Sequence, residues 1–169
     1  MVQQTENDVM RNRLPYHEKY RWKDMDEIVG QDEIVEYLKK LESLPVERTP
    51  HMIFKGPPGT GKSTIAYAYQ PGMLQTVLNV ASTPGVQLAR ELENMLKLRR
   101  SIFEYCTDKR TGKNYIGHKI ILTEADRLTE DAQKILQQPL EECIGTLKII
   151  ITANDIILLY LNEFTLLKA

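Results

Sequence analysis

Eight consecutive residues constrain this chain more than any others: Gly56, Pro57, Pro58, Gly59, Thr60, Gly61, Lys62 and Ser63. Three glycines and two prolines in so short a span exclude both a helix interior and a paired strand, so the segment must be a loop. Its flanks are regular. The run His51, Met52, Ile53, Phe54, Lys55 has the length and apolar content of a short strand, and a helix is expected from about Lys62 until Gln70, Pro71 and Gly72 end it. Strand, glycine-rich loop and helix in this order satisfy G-x-x-x-x-G-K-[ST], a pattern in which main-chain N–H groups converge on a phosphate. Lys62 then meets the β- and γ-phosphates, Ser63 offers its hydroxyl to magnesium, and the helix N-terminus adds a positive field. ATP with Mg2+ is the expected ligand.

A phosphate loop of this type needs a parallel sheet behind it, and the rest of the sequence supplies one. Thr76–Val80 (TVLNV) reads as a buried strand, as do residues 119–122 and 148–151, each a short apolar run. Helical spacing separates these runs. Ile34, Val35, Leu38 and Leu41 define one amphipathic helix from Asp32; Val86, Ala89, Leu92 and Leu96, continuing to Ile102 and Phe103, define a long second one. A further helix is expected near residues 130–142, and a polar loop over 107–118. Strands joined by helical crossovers give parallel pairing with both faces covered, so the fold class is a three-layer α/β/α domain with a mainly parallel sheet. Residues 1–13 are polar and read as a flexible N-terminal arm; residues 14–169 read as one domain.

At the strand ends the chemistry a nucleotide hydrolase needs comes into view. The run Ile120, Ile121, Leu122, Thr123 ends in Glu124, placed to orient an attacking water, while Thr123 stands where a metal-supporting aspartate is expected. The next strand ends in Ala153 and Asn154, an amide for the water or the γ-phosphate. Asp126 is expected to cap the helix that follows. Glu124 and Asn154 are therefore the candidate catalytic residues.

Together these residues resemble the AAA+ clamp loaders, in particular the small subunits of replication factor C and their phage counterparts, over about residues 14–155. Glu18, Lys19, Tyr20 and Arg21, followed by Asp26 to Gln31, resemble that family's N-terminal signature, which implies that Tyr20, Arg21, Val29, Gly30 and Gln31 lie at the adenine. The stretch from Gly56 to Thr64 resembles its phosphate loop, Leu78-Asn79 with Ala81-Ser82 a strand end, Glu124 to Gln133 its acidic strand end and following helix, and Thr152 to Asn154 its sensor. The resemblance implies an ATPase in a hetero-oligomeric ring of clamp-loader subunits that places a sliding clamp on primed DNA, in the cytoplasm, nucleoid or nucleus of a cell. Other tasks of such domains, branch migration at Holliday junctions or helicase loading, are the alternative.

The sequence also departs from that pattern. Trp22 replaces a proline, Thr123 an aspartate, and Gln137-Gln138-Pro139 a positively charged segment; no arginine finger follows Asn154, and the family's lid and collar domains are expected to be absent. Nucleotide binding should survive these changes better than hydrolysis, which makes a hydrolysis-deficient ring partner a further reading.

Charge adds little. The formal net charge is -1, so no global attraction to DNA follows, and Lys109, Arg110, Lys113 and Lys119 around Gly112 read as a solvated loop, with contact to a DNA phosphate backbone as the alternative. Tyr67, Tyr69 and Tyr105 read as packing residues with wet hydroxyls. The two cysteines, Cys106 and Cys143, have no metal-ligand spacing, and no run reaches the roughly 20 apolar residues of a membrane span.

Overall fold

The computed structural model describes residues 21–22, 24–82, 85–97, 117–129, 133–134, 147–155 and 164–168. The described strands are β1 (His51–Lys55), β2 (Leu74–Asn79), β3 (His118–Thr123), β4 (Leu147–Ala153) and β5 (Phe164–Lys168), in one sheet of order β2-β3-β4-β1-β5. Every pairing is parallel. The helices are α1 (Asp32–Glu42), α2 (Lys62–Ala68) and α3 (Gly85–Lys97), with single 3-10 turns at Met25–Glu27, Val46–Arg48 and Ala125–Arg127.

Alternation along the central strands sorts their side chains onto two faces. Ile53, Ile120, Leu122, Ile149 and Ile151 pack with Leu88 and Leu92 of α3. Met52, Phe54, Ile121 and Ile150 pack with Ile34, Val35 and Leu38 of α1 and with Ile65, Ala66 and Ala68 of α2. Two cores on opposite faces of one parallel sheet make the three-layer architecture that the spacing of strands and helices predicts. Every residue of β4 is buried, and all of β3 except Thr123, which explains the apolar runs at 120–122 and 149–151.

β2 differs from expectation. It runs from Leu74 to Asn79 rather than 76–80, and as an edge strand it alternates between half-buried and exposed residues instead of being buried on both faces. Lacking a neighbour on one side, it is covered less completely. β5 went unpredicted because Phe164–Lys168 carries no glycine or proline boundary; it gains its partner from β1, in register His51 with Phe164 through Lys55 with Lys168.

Helix termini follow local chemistry. α1 carries Asp32 and Glu33 in its first turn and Lys39 and Lys40 in its last, each complementing the helix dipole. Lys39 also pairs with Asp26, fastening the 3-10 turn at Met25–Glu27 to α1. α2 is bounded by Gly61, whose φ of 87° starts the helix from a left-handed residue. Of the helix expected near 130–142 only Gln133 and Lys134 are described, both helical; Gln137 to Pro139 and residues 102–103 lie outside the described residues. Among the described residues no helix is long and apolar enough to cross a membrane.

Candidate functional site

Parallel strands deliver their C-terminal ends to one edge of the sheet, and a ligand crevice forms there where strand order reverses. In this chain the reversal lies around β1, which enters between β4 and β5. The loop of residues 56–61 leaves β1 at that edge. Gly56 N donates to Ala153 O at 3.3 Å, tying the loop's first residue to the end of β4. Thr60 Oγ1 donates to Pro57 O at 3.0 Å and closes the loop on itself.

Gly59 and Gly61 have φ of 86° and 87°, and a Cβ built on either meets nothing within 4 Å. Glycine is required here by backbone angle, since an L side chain pays about 1 kcal/mol or more in the left-handed region. Pro57, Pro58 and Gly59 are exposed, while Thr60, Ser63 and Thr64 are partly buried. α2 carries no acidic side chain in its first turn, so nothing competes with an anion for its leading amides.

Lys62 is the hub. Its Nζ donates to Gly56 O at 2.8 Å, to Pro57 O at 2.7 Å and to Asn154 Oδ1 at 3.2 Å. Residues 92 positions apart, predicted separately from a loop and from a strand end, thus meet through one ammonium group. Burial lowers the Lys62 pKa, and the negative charge of Asp126 works against that fall.

Asp126 has a partner that the sequence did not suggest. Its Oδ1 accepts from Asn154 N at 3.3 Å, bridging the 3-10 turn after β3 to the end of β4, while residues 130–132, where the helix it was expected to cap would begin, lie outside the described residues. Asp126 therefore belongs to the site through the backbone of Asn154 and through its charge beside Lys62. The signal was in the sequence, as a carboxylate three residues beyond a buried strand, but its partner lies on another strand.

Glu124 begins the 3-10 turn with φ of 58°, a left-handed angle uncommon for a residue with a side chain. Such angles cluster at functional sites. Its carboxylate is half exposed and lies 3.9 Å from Arg127 Nε. Thr123 Oγ1 is turned toward the edge strand, 3.5 Å from Leu78 O. Asp155, next to Asn154, pairs with Lys55 at 2.6 Å across the ends of β4 and β1.

Of the residues expected at an adenine, Tyr20 lies outside the described residues. The Arg21 guanidinium stands 4.3 Å from the centroid of the Tyr67 ring on α2, a cation–π contact joining the N-terminal segment to the helix behind the loop. Val29 is 81% exposed, and Gly30 and Gln31 both have positive φ, at 82° and 58°, where the chain turns into α1.

Two expectations about surface residues are overturned. Lys119 is 1% exposed in β3, not part of a solvated loop, because the alternation of the strand points it beneath α2; Lys109, Arg110 and Lys113 lie outside the described residues. Tyr69 is fully buried, so its hydroxyl is not wet, and burial pushes its pKa up.

The donor set fits a nucleoside triphosphate and its metal. Left-handed glycines, a cation already resting on the loop, and a first-turn hydroxyl on Ser63 suit phosphate oxygens. Among the described residues no group of three His, Cys, Asp or Glu side chains could hold a metal alone. Magnesium does not need one, since it keeps several waters and takes further ligands from the phosphates.

Comparison with known proteins agrees with this geometry. A family model described as AAA domain (dynein-related subfamily) matches residues 51–147. The chain is 35% identical over 155 residues to the replication factor C small subunit of Sulfolobus acidocaldarius, covering 86% of this chain and 43% of that protein. It is 36% identical over 152 residues to replication factor C subunit 2 of Saccharomyces cerevisiae, covering 83% and 41%. The chain thus spans less than half the length of these relatives. Among solved structures, the Thermotoga maritima RuvB Holliday junction branch migration motor superposes with a TM-score of 0.63 at 17% identity, over 88% of this chain and 48% of that one. At that identity the likeness is one of fold.

Proposed function

The chain belongs to the AAA domain family, and from that membership we propose that it is the ATP-binding domain of a sliding-clamp loader small subunit. Family membership implies a nucleotide and a divalent metal; the reading here is ATP with magnesium. The observation that carries it is the contact of Lys62 with both the loop carbonyls and Asn154, because the groups proposed to bind the phosphates and to sense the γ-phosphate then share one ammonium.

In this reading the amides of residues 56–63 surround the β-phosphate and Lys62 moves from the Gly56 and Pro57 carbonyls to phosphate oxygens. Ser63 supplies its hydroxyl to magnesium, which when bound neutralises the phosphate charge. Asn154, held by Asp126, offers its amide to the γ-phosphate or to water. Glu124 orients that water. The segment of Arg21, Val29, Gly30 and Gln31, with Tyr20, receives the adenine, and Thr64 follows Ser63 in the first turn of α2.

Sequence identity of 35–36% to replication factor C subunits favours clamp loading over branch migration, for which the support is fold likeness alone. Partners are then other clamp-loader subunits, a sliding clamp and, through the assembly, primed DNA inside a cell. A second reading, a ring partner that binds ATP without hydrolysing it, is favoured by Thr123, whose uncharged hydroxyl is directed to Leu78 O.

The test is phosphate release from ATP by the full chain, alone and mixed with a sliding clamp, primed DNA and candidate ring subunits. Stimulation by clamp and DNA supports the first reading; ATP binding with no turnover in any mixture supports the second. Absence of magnesium-dependent ATP binding overturns both.

A further inference from the structure

The seven-residue helix α2 carries the phosphate loop on its N-terminus, yet two turns of isolated helix are unstable in water. Its far end is held by groups unrelated to nucleotide chemistry. Of the carbonyls left open there, those of Ala66 and Tyr67 each accept from Lys119 Nζ at 3.1 Å, and that of Tyr69 accepts from the same atom. Glu42 Oε1 of α1 accepts from Gln70 N at 2.6 Å. The cation on the C-terminal carbonyls complements the negative end of the helix dipole, and the carboxylate satisfies the next amide.

We propose that Lys119 is a positioning residue of the phosphate site: from β3 its ammonium anchors the C-terminal end of α2 and so fixes the height and direction of the loop that binds the phosphates. This rests on the nucleotide reading above and extends it to a residue that touches no ligand. β3 ends at Thr123 and leads directly into Glu124, so the strand that delivers the acidic residue also seats the helix that delivers Lys62. One rigid unit therefore fixes both halves of the site.

Charge gives the arrangement a second consequence. Lys119 lies one short helix from the phosphates, about 10 Å at 1.5 Å per residue. At that separation and an effective dielectric of about 20, one unit of opposite charge changes affinity on the order of tenfold. Burial lowers the Lys119 pKa to about 8, opposed by the charge of Glu42. The charged group that acts on it is Glu42 on α1; Tyr69 meets it through its backbone carbonyl, and the phenol of that residue holds its own proton to high pH. Lys62 and Asp126 lie at the other end of the helix.

The experiment measures Mg-ATP affinity of the full chain by calorimetry between pH 7 and pH 10, in wild type, Lys119→Met and Lys119→Arg. Near pH 7 the Lys119→Met chain should bind on the order of tenfold more weakly, with Lys119→Arg recovering part of the loss. The gap between wild type and Lys119→Met should narrow as the wild-type ammonium loses its proton. A gap of constant size at all pH values, or none, overturns the inference while leaving the nucleotide reading intact. A wild-type chain that binds no ATP overturns both. If Lys119→Met does not fold, the 13Cε shift of Lys119 in wild type decides: its apparent pKa should rise by about one unit on adding Mg-ATP, and an unchanged value refutes the proposal.

Discussion

Replacing Lys62 by methionine separates what this side chain does for the fold from what it does for the ligand. In the free protein its ammonium makes three hydrogen bonds, to Gly56 O, Pro57 O and Asn154 Oδ1, at 2.8, 2.7 and 3.2 Å. Pro57 and Asn154 are exposed, so water replaces two of those bonds; Gly56 is buried, and so is its bond to Lys62. One buried acceptor without a partner costs about 1–3 kcal/mol. Against this, the side chain is 8% exposed and burial lowers its pKa, so a neutral methionine of similar length recovers desolvation free energy. The two effects oppose, and the net change in stability should stay within about 1 kcal/mol, or a few degrees in Tm. Binding has no such offset. A charge-assisted hydrogen bond is worth about 1.5–3 kcal/mol, so Mg-ATP affinity should fall about 10- to 150-fold. Calorimetric titration and thermal melting with and without nucleotide, on the full chain, read both quantities. Unchanged ATP affinity refutes the phosphate-loop reasoning; a collapse in Tm matching the loss of binding refutes the claim that the roles separate.

Three other outcomes are expected. Gln70 follows α2 with φ of 49° and a buried Oε1 without a hydrogen-bond partner, so Gln70→Gly should stabilise the chain by about 1 kcal/mol, seen as a higher melting temperature; a lower one removes strain as the explanation. Thr123→Asp sacrifices only the long 3.5 Å contact with Leu78 O and should raise ATP turnover about 10- to 100-fold in a phosphate-release assay, whereas no gain shows that the uncharged strand end does not limit the reaction. Because Lys119 in the folded chain loses its proton at about pH 8 and an unfolded lysine at about 10.4, the unfolded state binds more protons between these values, and Lys119 adds stability as pH rises from 8 toward 10, by up to about 3 kcal/mol. Tyr69, held protonated by burial, has the opposite slope above about pH 10; denaturant unfolding of wild type and Lys119→Met at pH 8 and pH 9.5 should show the rise in wild type alone.

Local chemistry made much of this protein legible from its sequence. Glycine at positions 59 and 61 answers to the backbone angle at those positions, proline and glycine end the flanking elements, and strands buried on both faces, such as β3 and β4, carry apolar runs at 120–122 and 149–151. Those are properties of neighbours along the chain, so the boundaries of β1, the start of α2 and the extent of α1 can be read from it directly. Tertiary structure decided which distant groups meet. The strand order, the partner of β5, the bond between Asp126 and the Asn154 backbone, and the burial of Lys119 under α2 depend on the packing of separate elements. A lysine carries the same charge in a loop as beneath a helix; only the three-dimensional arrangement supplied the three carbonyls that make burying this one tolerable.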